Sequence, residues 1–360
     1  MLIKSIVKKS LIKAWKYSST HYGYYKRHKS IINNTDFNKV VLSSKEKKEY
    51  IEYWKLVSPN VSCKTVEISK SLSGVFNKYI VPEEFFTLYF EPRLNKDESI
   101  SFLQNKSIYN KWFGSRVFPK DYFHKIDGNY YTKNFKVIDN IEEYIEEHID
   151  ESELPVVIKP NRDSYGGENI YFVETKELIK EILIQHSDLV VQEKIKQSEL
   201  INIFNPSSIN TVRVCVYKDN SGNIFILNTS IRMGKDGSLD NETAGGIVCN
   251  IKKNGLLNSY AVDKYANKYT EHPNSKYIFK DKEFPYYKDL AEVSKEICAS
   301  IIGARLISLD MALDNSNNWR CIEVNLFGQT IRFAQYAGEP FFGVLTDEVK
   351  KLIIESQIEK

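Results

Sequence analysis

Residues 307–326 read ISLDMALDNSNNWRCIEVNL, two alternating apolar–polar runs on either side of Asn315, Ser316, Asn317 and Asn318. Alternation with a period of two marks a half-buried strand and a cluster of Asn and Ser marks a turn, so the stretch predicts a β-hairpin. Centring the turn between Ser316 and Asn317 sets Leu309 against Val324 and Met311 against Ile322 on the apolar side. The same register puts Asp310 opposite Glu323, with Asn325 two residues along the same strand and therefore on the same face. Opposed carboxylates repel, so if partly buried they need a cation. A hard divalent ion with oxygen ligands, such as Mg²⁺ shared with substrate phosphates, meets that need. The alternative is a solvated acidic face.

A metal that works with phosphates needs basic groups and a backbone cradle nearby. Lys159 ends the apolar run Val156, Val157, Ile158 and is followed by Asn161, Arg162, Asp163, Ser164, Tyr165, Gly166 and Gly167. Such a loop can close over phosphates through its N–H groups, the glycines permitting close approach. Gly-Gly between strands is also an ordinary turn. Neither G-x-x-x-x-G-K-[ST] nor G-x-G-x-x-G occurs here. Strands are expected at residues 156–158, 170–173 and 189–193, with a helix at 177–186 between the last two. Residues 211–217 and 224–231 form a second expected hairpin through Asp219 to Asn223. With Lys218 paired to Asn223, Val212, Val214 and Val216 face Thr229, Leu227 and Phe225; Arg213, Asn228, Ser230 and Arg232 make a basic, polar floor on the other face. Further helices are expected at 46–56, 106–113, 289–302 and 346–354, and residues 44–94 read as an N-terminal cap.

The 360-residue length suits two or three packed units, and 42% apolar with 27% charged residues is ordinary for a globular chain. No apolar run approaches the ~20 residues that span a bilayer. Five scattered cysteines without C-x-x-C spacing fit a reducing compartment. A net charge of +3 and the absence of an RNP-like strand give no case for nucleic acid. The charge is unevenly placed, since residues 1–30 hold eight Lys or Arg and no acid, with Ile3, Val7, Leu11 and Trp15 at four-residue spacing. Two readings stand: a first helix packed on its own domain, or a basic helix on a membrane surface. His272 is expected to be structural or solvated. Arg332, close behind the hairpin, is either an anion contact or a surface residue.

The ordered series Lys106, Val-Ile-Lys159-Pro, the Ser164 loop, Val-Gln-Glu193-Lys-Ile, Asn-Thr-Val-Arg213-Val, Ile-Arg232-Met-Gly, Asp240-Asn241, Asp310 and Ile-Glu323-Val-Asn325 resembles the sugar-transfer-associated ATP-grasp family, kin to alpha-L-glutamate ligase-like proteins. The resemblance implies an α+β ATP-grasp fold of two α+β subdomains gripping ATP. Residues 1–100 would be an N-terminal cap, 101–195 the lid subdomain and 196–360 the metal-binding subdomain. Lys106 and Lys159 would contact the nucleotide phosphates, with Ser164, Gly166 and Gly167 closing over them. The backbone of Gln192, Glu193, Lys194 and Ile195 would be the hinge that reads adenine, and Glu199 a ribose contact. Arg213, Arg232 and Lys159 would stabilise the transferred phosphoryl group. Asp310, Glu323 and Asn325 would hold Mg²⁺, with Mn²⁺ able to substitute; Asn241 and Arg332 would face the substrate. Relatives carry a glycine run followed by a basic residue where this chain has Tyr165 and Glu168. The implied activity is an ATP- and Mg²⁺-dependent carboxylate–amine ligase on a small-molecule or glycan-precursor substrate, in the cytoplasm or at the inner face of the membrane. The rival readings are an ATP-grasp kinase and a non-catalytic nucleotide-binding scaffold for glycan enzymes.

Overall fold

The computed structural model describes residues 2–114, 116–162, 169–238, 240 and 245–358, and side chains from residue 11 onward apart from 13. Two antiparallel sheets organise it. The smaller is built from β1 (Asp121–Ile126), β2 (Asn129–Thr132), β3 (Val156–Pro160), β4 (Tyr171–Val173) and β5 (Leu189–Glu193), in the order β2-β1-β5-β3-β4. Asp127 and Gly128, both at positive φ, make the tight β1–β2 turn. Ile145, Ile149, Ile179, Ile182 and Leu183 from helices Ile141–His148 and Lys176–Gln185, and the turn after the first, cover this sheet against Val156, Ile158 and Val191.

The larger sheet contains β6 (Thr211–Lys218), β7 (Ile224–Met233), β8 (Ile247–Ile251), β9 (Leu257–Val262), β10 (Lys268–Tyr269), β11 (Leu306–Leu313) and β12 (Trp319–Asn325), ordered β10-β9-β8-β7-β6-β11-β12. Helix Tyr287–Ala299 packs Leu290, Ile297 and Cys298 against Val212, Val214, Met311 and Leu313 on one face. Against part of the other lie α2 (Ser44–Trp54), α3 (Lys64–Ser73), the helical segment 83–94 and the C-terminal helix Thr346–Ile358, through Tyr50, Trp54, Val66, Phe85, Phe90 and Ile353, while α1 (Leu2–Ile32) joins Val248, Tyr260 and Val262 through Ile31. Ser43 caps α2 with a reciprocal capping box, its hydroxyl accepting from Glu46 N and Glu46 accepting from Ser43 N. The α-plus-antiparallel-sheet architecture agrees with the expected α+β class.

Both hairpins form, each with a corrected register. In β11–β12, Leu309 opposes Val324 and Asp310 opposes Glu323, but Met311 opposes Cys321 instead of Ile322. Ile322 is the extra residue of a bulge, and the Cys321 N–H is diverted to Val117 O at 2.6 Å. The bulge lets Trp319, Cys321 and Val324 all enter the core while Glu323 stays beside Asp310. The turn is closed by Asp314 N to Asn318 O, so it centres on Ser316. In β6–β7 the pairs are Lys218–Ile224, Val216–Ile226, Val214–Thr229 and Val212–Ile231, with a bulge between Cys215 and Val216. Two residues of slippage preserve parity, so Arg213, Ser230 and Arg232 still share a face.

Candidate active site

Asp310 is the centre of the polar floor. On β11 it lies between its Cα partners Arg213 on β6 and Glu323 on β12. Its carboxylate accepts from Arg213 Nε and Nη2, both at 2.8 Å, and pairs with Arg232 Nη2 at 3.0 Å. Burial opposes ionisation here, yet the two guanidiniums hold the carboxyl well below the usual carboxylate range. Arg232 is fixed in turn by Thr211 Oγ1, which accepts from its Nε at 2.9 Å and Nη2 at 2.7 Å. Thr211 donates its hydroxyl to Asp240, whose carboxyl burial pushes up.

Glu323 pairs with Lys106 Nζ at 2.7 Å. Lys106 sits on the short turn Lys106–Ile108 preceding helix Tyr109–Phe113, and its N–H bonds Asn161 O at 2.9 Å, just after β3. This places it beside Lys159, the last but one residue of β3. Lys159 is 4% exposed. Burial, reinforced by the neighbouring Lys106 charge, pushes its amine down to about 8. The small sheet therefore delivers two lysines to the edge of the large one, where the carboxylates stand. Asp310 and Glu323 oppose one another as expected, but the protein offsets them with its own cations, Arg213, Arg232 and Lys106, rather than leaving bare repulsion.

Asp310, Glu323 and Asn325 share the floor, and the buried Asn325 Nδ2 has no hydrogen-bond partner. That Nδ2 is a hydrogen-bond donor and not a ligand; the oxygens of the two carboxylates and the Asn325 amide oxygen make an all-oxygen donor set that fits a hard divalent ion completed by phosphate oxygens. Among the described residues no group of three or more His, Cys, Asp or Glu gathers that could hold a metal by itself.

Residues 194–198 carry the chain from β5 to the large sheet and are stitched to the β11–β12 turn: Ser198 N to Leu313 O is 3.0 Å and Asn315 N to Lys196 O is 2.7 Å. Gln192, at the end of β5, is buried and donates Nε2 to Asp121 Oδ1 at 2.6 Å. Glu193 Oε1 accepts from Arg320 Nη2 at 2.7 Å and from Lys120 N at 2.8 Å, which joins the two sheets at this crossover. Lys194 lies over the Phe172 ring, Ile195 is half-buried, and Glu199 is exposed at the start of a one-turn helix, accepting from Asn202 Nδ2.

Ser164, Gly166, Gly167, Tyr165, Glu168 and Asn241 lie outside the described residues. Arg332 departs from the surface alternative. It is buried, its guanidinium over the Phe333 ring at 4.6 Å, and its charge helps hold the Glu83 carboxyl low. His272 is fully buried and bonds Gly234 O at 2.9 Å, a structural role. Missed by sequence reasoning is Asp121, pushed up to about 6 by burial. Its neighbour His124 is also buried, pushed down to about 4 and stacked on Phe135. The signal was present: the strand-like run Asp121 to Ile126 ends at Asp127-Gly128, a hairpin turn pair.

Among solved structures, the chain is similar to VanG D-Ala:D-Ser ligase from Enterococcus faecalis, at 18% identity over 71% of this chain and 64% of that one, TM-score 0.42. It is also similar to biotin carboxylase from Campylobacter jejuni, at 12% identity over 71% and 47%, TM-score 0.42. A third is the N5-carboxyaminoimidazole synthase from Aspergillus clavatus, at 10% identity over 67% and 51%, TM-score 0.37. The chain thus spans between about half and two thirds of the length of these proteins. No curated protein matches it. The family model described as sugar-transfer associated ATP-grasp matches residues 86–351, and the chain belongs to that family.

Proposed function

We propose that this protein is an ATP- and Mg²⁺-dependent carboxylate–amine ligase that works through an acylphosphate. It joins an amino acid or amine to a sugar acid or amino acid in bacterial surface-polysaccharide biosynthesis. The observation that carries the reading is the meeting of Lys106 and Lys159 from the small sheet with Asp310, Glu323, Arg213 and Arg232 on the floor of the large one. The sugar context is supported by the family description alone.

A triphosphate brings four negative charges, and the site supplies four cations, of which Arg213, Arg232 and Lys106 are held by carboxylate partners and Lys159 is buried beside them. Asp310, Glu323 and Asn325 would hold Mg²⁺, which supplies charge offset at the phosphate oxygens when bound. The cations that neutralise these carboxylates are then available to the nucleotide. Lys106 and Lys159 hold its phosphates, and Arg213 and Arg232 hold the transferred phosphoryl group bidentately. An acceptor carboxylate oxygen attacks the γ-phosphorus, the bond to the β–γ bridging oxygen breaks, and ADP leaves. The amine then attacks the acyl carbon, the carbon–oxygen bond to phosphate breaks, and the amine proton leaves with phosphate. Backbone at 192–195 holds the base, and Asp121 keeps Gln192 and the end of β5 in place. Among the described residues no helix is long and apolar enough to cross a membrane.

The test is interception. Protein, Mg·ATP and a panel of uronic and amino acids are incubated with hydroxylamine, and products are read by mass spectrometry alongside ADP release. Hydroxamate in step with ADP supports the ligase. A phosphorylated, hydroxylamine-stable product would replace it with a kinase, and ATP binding without substrate-stimulated ADP across the panel with a scaffold. Arg213→Ala should suppress hydroxamate while retaining much of the ATP affinity.

A further inference from the structure

The first helix is divided along its length. Its C-terminal part belongs to the body: Tyr24 Oη and Thr87 Oγ1 are 2.7 Å apart, Arg27 Nη1 pairs with Glu83 Oε2 at 3.0 Å, His28 Nε2 meets Glu83 Oε1 at 3.4 Å, and Ile31 is buried. Toward the N-terminus, Tyr17 Oη accepts from Asn60 Nδ2 at 3.1 Å. Before Tyr17 the described apolar side chains are open to solvent, with Leu11 65%, Ile12 54% and Trp15 71% exposed. At ~1.5 Å per residue, helical residues 2–16 form a rod about 22 Å long running out from the anchored part. Its sequence carries Lys4, Lys8, Lys9, Lys13 and Lys16 and no acid, and Ile3, Val7, Leu11 and Trp15 recur every fourth residue. The packed-helix reading thus describes only the later turns of the element.

We infer that residues 2–16 dock the protein on an anionic lipid bilayer, lying in the interface plane. Lysines meet anionic headgroups, and Leu11 and Trp15 enter the headgroup–acyl boundary, the level at which an amphipathic indole is stable. A bilayer fits better than a protein groove because the charge is of one sign throughout: the first acid in the chain is Asp36. A continuous anionic surface satisfies every lysine at once. The attachment is peripheral, and it depends on salt because headgroup attraction decays within a Debye length of ~8 Å at physiological ionic strength. This docking is independent of the ligase reading. It would hold the site beside membrane-borne substrates whatever the chemistry.

The experiment uses the full chain and sucrose-loaded vesicles of phosphatidylcholine, with or without about 30% phosphatidylglycerol. Cosedimentation at least tenfold stronger on the anionic vesicles, reversed by molar salt, is the expected result. Leu11→Glu with Trp15→Glu should abolish it, and Lys8→Glu with Lys16→Glu should weaken it at least tenfold. Leu11, Trp15 and Lys16 are exposed, and circular dichroism and ATP binding should be unchanged in both variants. Equal binding to both vesicle types, or binding that survives the Leu11/Trp15 change, overturns the inference. So does failure to bind the anionic vesicles; concentration-dependent dimerisation lost in the same variant would then assign the face to a second copy.

Discussion

Lys159 offers a prediction that can be worked from the structure in protons. Its amine is brought down from 10.5 to about 8 by burial and by Lys106. The displacement of about 2.5 pH units corresponds to about 3 kcal/mol between its charged and neutral forms. Because the folded value lies below the unfolded one, folded protein holds fewer protons on Lys159 between about pH 8 and 10.5. The penalty is therefore fully present below pH 8 and relieved as pH rises through that window. A triphosphate seated at Lys159 reverses the imbalance by favouring the ammonium. Mg·ATP binding should then take up about 0.5 proton per molecule at pH 8 and about 0.1 at pH 7. The assay is titration calorimetry at each pH in buffers of differing ionisation enthalpy, the slope giving protons. Lys159→Met should remove the uptake at pH 8 and weaken binding, with an unchanged circular dichroism spectrum. An equal slope in the variant, or proton release by the native protein, would refute the placement of Lys159 at the phosphates.

Asp310→Asn leaves two guanidiniums facing a neutral amide, and should cost about 3 kcal/mol in urea unfolding as well as ATP turnover. Since the Asp310 carboxyl is held low, its contribution stays constant from pH 8 to 5 and fades only as pH falls below about 4, so the difference between the two proteins should be flat over pH 5–8. Glu84 presents the opposite sign. It is 1% exposed, and burial pushes its carboxyl up to about 7. Folded protein holds the extra proton between about pH 4.5 and 7, so stability falls across that window, and Glu84→Gln should be more stable than the native chain at pH 8 by up to about 3 kcal/mol in thermal or urea unfolding.

Much of the site was legible because its residues sit in strands of strict parity. Once residues 307–326 are read as a hairpin, Asp310 and Glu323 are expected opposite one another, and they are, because the bulge at Ile322 offsets the half-residue shift of the loop centre to Ser316. Arg213 and Arg232 followed by the same rule, surviving two residues of slippage in β6–β7. What parity could not supply is where a bulge falls. That depends on partners distant in sequence, as when Val117 captures the Cys321 amide. The neutralisation of the carboxylates was equally hidden, because Lys106 reaches Glu323 across more than two hundred residues of chain. Asp121 and His124 escaped notice because a polar residue in a strand reads as solvent-facing until a second layer covers it. Here both faces of β1 are closed, and Asp121, His124 and Lys125 are all buried. The split character of the first helix was invisible for a related reason: composition describes residues 1–30 as one basic segment, whereas burial depends on Glu83 and Thr87 meeting only its later turns.

The most direct test of the account is the affinity of the protein for ATP with and without Mg²⁺, measured by calorimetry on the native chain and on Glu323→Gln. If Glu323 and Asp310 hold the metal that seats the triphosphate, Mg²⁺ should tighten native binding at least tenfold, or about 1.4 kcal/mol. Glu323→Gln should then bind ATP with little dependence on Mg²⁺. Absence of ATP binding by the native protein, or a Mg²⁺ dependence that persists undiminished in Glu323→Gln, would contradict the assignment.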